Sequence, residues 1–278
     1  SRRTTSTKAG TTSCTGTPNW KSESGGHPVS RVTTALVDNS VFSHAKIEAV
    51  TADPEAPPHR FNRTNQLAVF KIRDEYGDDH RWLNREVNAI PTLRRMAVEG
   101  HVKLYFYNEL FLESAKAYDR ASLLDGVGFG EILSPIERSR FFQKDRFEDY
   151  TNKNSLREFV RFLVTLSEND VNKLLRKRDI TDADRVALRE VDILKDICRG
   201  MSFEHYDDAF HFWAAEHADL DFYITFDNRF RNSLSKQKIK TKASTVSVIE
   251  FLSEIGVKFF DQMPVDFGAT YDFSGRKV

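Results

Sequence analysis

Only two cysteines, Cys14 and Cys198, occur in 278 residues. They supply neither a disulfide framework nor a zinc quartet, and they fit a reducing compartment, so a cytoplasmic chain is expected. Net charge is also missing, with Lys+Arg 41 against Asp+Glu 41. A polyanionic partner must therefore be met by a local patch and not by the field of the whole protein. No apolar run approaches the roughly 18 residues of a membrane span, and the N-terminal stretch lacks the apolar core of a secretory signal. No membrane partner is expected. Acids are absent before Glu23, in a stretch rich in Ser, Thr and Gly that cannot bury enough apolar surface to fold alone. Residues 1–30 are expected to be a flexible tail. Their Arg/Ser/Thr bias is similar in composition to an organellar transit peptide and suits a truncated end equally well.

What remains is rich enough to fold. The chain is 40% hydrophobic and 12% aromatic, which gives residues 31–278 a sizeable core, as one large domain or as a core domain with an insertion. "RVTTALVD", Arg31 to Asp38, reads as a first strand ending on an aspartate. "NQLAVFKI", Asn65 to Ile72, suits a strand or a buried helix. Trp82 to Gly100 reads as a helix interrupted near Pro91, followed by a second strand in "HVKLYFY" and a helix capped by Asn108. Ser155 with Glu158, and Thr181 with Asp184, mark further helix starts, the latter helix ending at Gly200. A helix at Asp207–Ala218, a strand at Phe222–Phe226, a short strand near Ala243–Val246, and a helix boxed by Ser247 and Glu250 complete the series. Alternating strands and helices predict an α/β fold with a mostly parallel central sheet covered on both faces, a three-layer α/β/α arrangement.

Ligands of such sheets sit beyond the carboxyl ends of the strands, and that is where acids accumulate. Asp38 ends the first strand, and Glu113 lies in the first turns of the helix after "VKLYFY". Asp208 begins "DAFHFWAA", and Asp227 ends "FYITF". Four carboxylates on one crest repel one another unless cations neutralise them, and oxygen-only ligands suit Mg²⁺ or Mn²⁺ rather than zinc. Each acid also has an ordinary role open to it: Asp38 and Asp227 as helix caps, Asp208 as a partner of the helix dipole, Glu113 as a solvated residue. Glu109 competes with Glu113. Asp207 and Asp221 are read as surface residues.

These motifs resemble the PIN domain nucleases. The likeness is carried by "ALVDNSVF", by the helix "DDAFHFWAA", and by "ITFDNRF", with Asp227 standing 19 positions after Asp208. It implies a PIN-like domain over 31–278 enlarged by helical insertions around 114–200, and an acidic metal site. It also implies cleavage of phosphodiester bonds, most often in RNA. By position, Asp38, Asp208 and Asp227 match the family's acids, and Glu113 its helix-borne glutamate. The expected activity is thus a metal-dependent endoribonuclease using Mg²⁺ or Mn²⁺, one or two ions lowering the pKa of water and polarising the phosphorus. RNA is the expected partner. Members of the family also occur as toxins with a neutralising protein partner, and a homodimer is a further expected assembly. Many members carry Asp-Thr-Asn where this chain has Asp38, Asn39 and Ser40.

The segment from Asn228 to Ile249 contains no acid but has Arg229, Arg231, Lys236, Lys238, Lys240 and Lys242. Beside a carboxylate crest such cations can hold phosphates, and Arg229 and Arg231 are the expected contacts. Ser40, next to Asp38, is expected to position water or a phosphate oxygen. "GVGFG" lacks the lysine of a P-loop and reads as a flexible loop. His205, His211 and His217 recur every six residues, off a common helical face, and are expected in packing or surface roles. Phe210 and Trp213 are expected in the core. Two alternatives are a binding module on the same fold that has lost its metal, and a phosphotransfer enzyme with Asp38 as nucleophile. The second wants an acid two residues on, where Ser40 stands.

Overall fold

The hydrophobic pattern of the strands divides the molecule into layers. In β1 (Thr33–Val37), Ala35 and Val37 are buried in one apolar cluster while Leu36, between them, is buried in another. β6 (Phe222–Ile224) repeats this, with Ile224 in the first cluster and Tyr223 in the second. Because side chains alternate across a strand, both faces of the sheet must be covered. The computed structural model describes residues 31–52, 68–107, 110, 129, 131–136, 153–177, 182–237, 239–272 and 274–278. The expected tail, Glu109 and Glu113 lie outside the described residues, as does most of the "GVGFG" segment.

Five strands form the central sheet in the order β5-β4-β1-β6-β7, with β4 at Val102–Phe106, β5 at Leu133–Pro135 and β7 at Ser244–Val246. Every pairing in it is parallel. The first face is covered by α1 (Asn39–Ala45), α2 (Arg81–Val98) and the later helix α9 (Val248–Glu254), through Phe42, Val87, Ile90, Leu93 and Phe251. On the second face lie α3 (Lys153–Thr165), α5 (Asp182–Arg189), α6 (Val191–Cys198), α7 (Tyr206–His217) and α8 (Asn228–Lys236). The short α4 (Glu168–Leu175) follows α3. The fold is α/β with three layers, as the alternation implies.

β1 is central, and the chain leaves it toward β4, whereas it leaves the adjacent β6 toward β7. Helix α2 of the first crossover and α8 of the second bury themselves on opposite faces, as right-handed connections running in opposite directions require. The crevice beyond the carboxyl ends of β1 and β6 is therefore the topological switch point of the sheet, the ordinary place for a ligand in such folds.

Several local expectations change. Helix α2 runs unbroken through Pro91, because the buried Leu83, Val87, Ala89, Ile90 and Leu93 hold both sides of it against the sheet. That packing offsets the lost backbone hydrogen bond. Ser155 lies inside α3 and does not cap it; the capping boxes formed among the described residues are Ser167 with Asp170 and Ser247 with Glu250. The helix expected to run to Gly200 is broken at Glu190 into α5 and α6. The apolar run around Val69 to Ile72 becomes β3 (Ala68–Ile72), which pairs antiparallel with β2 (Glu48–Ala52) and β8 (Thr270–Tyr271) in a small second sheet that the sequence reading missed.

Candidate metal centre

Asp38 is placed by β1 and caps α1. Only 5% exposed, its carboxylate accepts four hydrogen bonds: Oδ1 from the Tyr223 hydroxyl at 2.9 Å, and Oδ2 from Ser40 N at 3.2 Å, Ser40 Oγ at 2.5 Å and Thr225 Oγ1 at 2.9 Å. The two hydroxyls are in turn held by the next loop. Ser40 Oγ accepts from Phe226 N at 2.9 Å, and Thr225 Oγ1 accepts from Asp227 N at 3.0 Å. This explains why β6 ends at Ile224 rather than at Phe226: Phe226 and Asp227 turn their amides toward Ser40 and Thr225. The Tyr223 hydroxyl pKa stands well above the ordinary tyrosine value, through burial and then the nearby Asp38 charge.

Asp227 caps α8, with Oδ1 accepting from Phe230 N at 2.9 Å, and a carboxylate has a second oxygen to offer. Asp208 stands in the first turn of α7, its side chain 21% exposed. Its pKa is raised to about 8, first by burial and then by the charges of Asp207, Asp38 and Asp227. Three of the four acids singled out in the sequence thus meet in one electrostatic neighbourhood, while Glu113 lies outside the described residues.

The group geometrically able to hold an ion differs from the expected all-acid set. His205, Asp208 and Asp227 each offer a ligand atom, and these atoms lie within 4.8 Å of one another. His205 Nδ1 is 3.5 Å from Asp208 Oδ2. Asp38 is not in this trio; its hydrogen bonds make it the anchor behind it. Sequence reasoning dismissed His205 because it tested a six-residue histidine period. The informative spacing was His205 to Asp208, three residues apart and so on one helical face. Divalent ions bind at about 2.0–2.2 Å from nitrogen and oxygen, which places ligands of one ion roughly 3 to 4 Å apart. The His205–Asp208 pair meets that requirement at 3.5 Å, and an Asp227 oxygen lies within 4.8 Å of both.

Other expected residues find different work. Ser40, half-buried, donates its hydroxyl proton to Asp38 and accepts from Phe226 N. Arg231 is tied to Asn228 Oδ1 at 3.1 Å and ion-paired with Glu250, bridging α8 to α9. Arg229, two positions beyond Asp227, is exposed. Asp207 is not a surface residue: it is 2% exposed and makes a bidentate pair with Arg157 at 2.9 and 3.0 Å. Asp221 accepts from Thr34 N and Oγ1 at the opposite end of the strands. His211 is buried and its Nδ1 meets the Tyr107 hydroxyl, while Phe210 and Trp213 are core residues as expected. No helix among the described residues is long and apolar enough to cross a membrane.

No family model matches the chain, and neither the curated proteins nor the solved structures give a match.

Proposed function

We propose that the protein is a metal-dependent ribonuclease that hydrolyses RNA phosphodiester bonds at the crevice between β1 and β6, in the manner implied by the likeness to PIN nucleases. The observation that carries this reading is the meeting of His205, Asp208 and Asp227 beside Asp38 at the topological switch point of the sheet. An ion of the Mg²⁺ or Mn²⁺ class bound there supplies Lewis acidity, which makes water a nucleophile near neutral pH and offsets phosphate charge. Asp208 and Asp227 would hold that ion, for which the Asp208 carboxyl, its pKa raised to about 8, would have to be ionised. Asp38 fixes the two loops so that these groups keep their positions. Arg229, exposed at the start of α8, receives a phosphate of the RNA backbone. Water would add to phosphorus as the P–O bond to the leaving nucleotide opens in line, the attacking water losing a proton to solvent and the leaving oxygen taking one from it, with no protein nucleophile required. Glu113 is the fourth acid that the resemblance implies.

The test is cleavage of single-stranded and structured RNA by purified protein in Mn²⁺ or Mg²⁺, with loss of cutting in EDTA. Undiminished cleavage in the chelator sinks the proposal.

One observation favours a second reading, a PIN-like nucleic-acid or protein binding module without catalysis. The Asp38 carboxylate is nearly buried and already accepts four hydrogen bonds, as a purely structural aspartate would. Titration with Mn²⁺ separates the two, since the binding module takes up no ion.

A further inference from the structure

The sequence suggested a site of carboxylates alone, but the atoms that come together include an imidazole nitrogen. We propose that His205 Nδ1, Asp208 and Asp227 form a mixed nitrogen–oxygen site that takes a first-row transition ion such as Mn²⁺ in preference to Mg²⁺. This rests on the metal-site part of the function proposed above and specifies which ion serves it.

Three features of His205 support a ligand role over that of a surface histidine. Its side chain is only 12% exposed, at the end of the 3-10 turn Phe203–His205, where it also leads into α7. Its Nδ1 is 3.5 Å from Asp208 Oδ2, close to the separation of two ligands on one ion. Its other ring nitrogen, Nε2, is 3.9 Å from Glu204 Oε1, which Ser202 Oγ holds at 3.2 Å. With an ion on Nδ1 the ring proton would sit on Nε2, on the side of the Glu204 carboxylate, the arrangement common for metal-bound histidines.

Mg²⁺ prefers oxygen and sheds water reluctantly, so an imidazole in its shell gains it little. Mn²⁺ and the later divalent ions accept imidazole readily, and affinity climbs along that series. The nitrogen therefore shifts selectivity more than it shifts overall divalent affinity. If His205 were only a cation paired with Asp208, its removal would alter the binding of all divalent ions alike.

Calorimetric titration of the full chain with Mn²⁺ and with Mg²⁺, for the parent, His205→Ala and His205→Asp, tests this. The parent should bind Mn²⁺ at least about tenfold more tightly than Mg²⁺. His205→Ala should remove that ratio while changing Mg²⁺ affinity less than about threefold, and His205→Asp, an all-oxygen set, should tilt the ratio toward Mg²⁺. Pulsed electron paramagnetic resonance of bound Mn²⁺ should show a directly coordinated imidazole nitrogen in the parent and none in either variant. An unchanged ratio in both variants, absence of the nitrogen signal in the parent, or no ion bound at all overturns the inference. Should His205→Ala fail to fold, the parent signal and His205→Asp decide. RNA cleavage is scored separately: cutting in Mg²⁺ without selectivity sinks only this inference, and selectivity without cutting sinks only the nuclease.

Discussion

The Ser40 hydroxyl accepts a hydrogen bond from the Phe226 backbone amide at 2.9 Å while donating its own proton to Asp38 at 2.5 Å. One small side chain thus joins the loop after β1 to the loop after β6. Ser40→Ala leaves the Phe226 amide without its partner and takes one of the four donors from Asp38, the backbone amide of residue 40 remaining. The expected loss is about 1–3 kcal/mol, the usual result of an unsatisfied buried donor. For a domain of this size that lowers Tm by roughly 2–4 °C per kcal/mol, readable in a melting curve. An unchanged Tm would show that the stitch contributes nothing.

Asp227→Asn separates a cap from a ligand. Asparagine caps a helix about as well as aspartate, so α8 and the melting curve of the metal-free protein should survive. The charge for the ion is lost, and Mn²⁺ affinity and RNA cleavage should each fall on the order of tenfold or more. Parent-like cleavage and a parent-like Mn²⁺ shift in Tm would leave Asp227 as a cap alone.

Asp208 makes the metal-free protein sensitive to pH. Its folded carboxyl keeps a proton up to about 8, whereas an unfolded aspartate loses it near 3.8, so the folded state holds the extra proton between those values. This contribution to stability is complete below the lower pKa and is lost as pH rises through the upper one. Denaturant titrations from pH 5 to 9 should show that decline, and Asp208→Asn should flatten it. Mn²⁺ affinity should run the other way, rising with pH until about 8 because the ion displaces this proton.

Arg229 and Arg231 should part company under mutation. Arg229→Ala should weaken RNA binding and reduce the slope of log affinity against log salt by about 1, with Tm and Mn²⁺ affinity unchanged. Arg231→Ala cuts the link from α8 to Glu250 in the capping box of α9, so it should lower Tm first. Filter binding at several salt concentrations beside melting curves checks both. Equal behaviour of the two variants would remove Arg229 from the RNA contact.

Four strands of the sheet, β1, β4, β6 and β7, were legible because they carry short β-branched and aromatic runs bounded by Gly, Asp and Ser, and α9 because Ser247 with Glu250 forms a real capping box, whereas the three-residue β5, Leu-Ser-Pro, carries no such run and was missed. Asp38, Asp208 and Asp227 were legible because strand ends and first helical turns are marked in the sequence. Pro91 misled because burial on both sides of it outweighs a local rule, and Ser155 because a box pattern does not itself decide where a helix begins. Asp207 looked like a surface acid because its partner, Arg157, lies 50 residues away. His205 was half visible: its spacing of three from Asp208 stands in the sequence, but its nearness to Asp227, on another element, appears only in the folded chain.

The hydroxyls around Asp38 give the site a hydrogen-bond polarity. Amide protons of Phe226 and Asp227 point at Ser40 and Thr225, which lie 3.2 Å apart and give their own protons to Asp38, joined there by Tyr223. An acceptor with no proton of its own receives all of them as they stand. An asparagine at position 38 could keep its oxygen for Ser40 and Thr225, but its NH₂ would then face the Tyr223 hydroxyl, which would have to turn its own proton elsewhere in a buried site. Neutralising Asp38 therefore disturbs the folded loops as well as any chemistry, and a catalytically silent but intact protein has to be sought at Asp227.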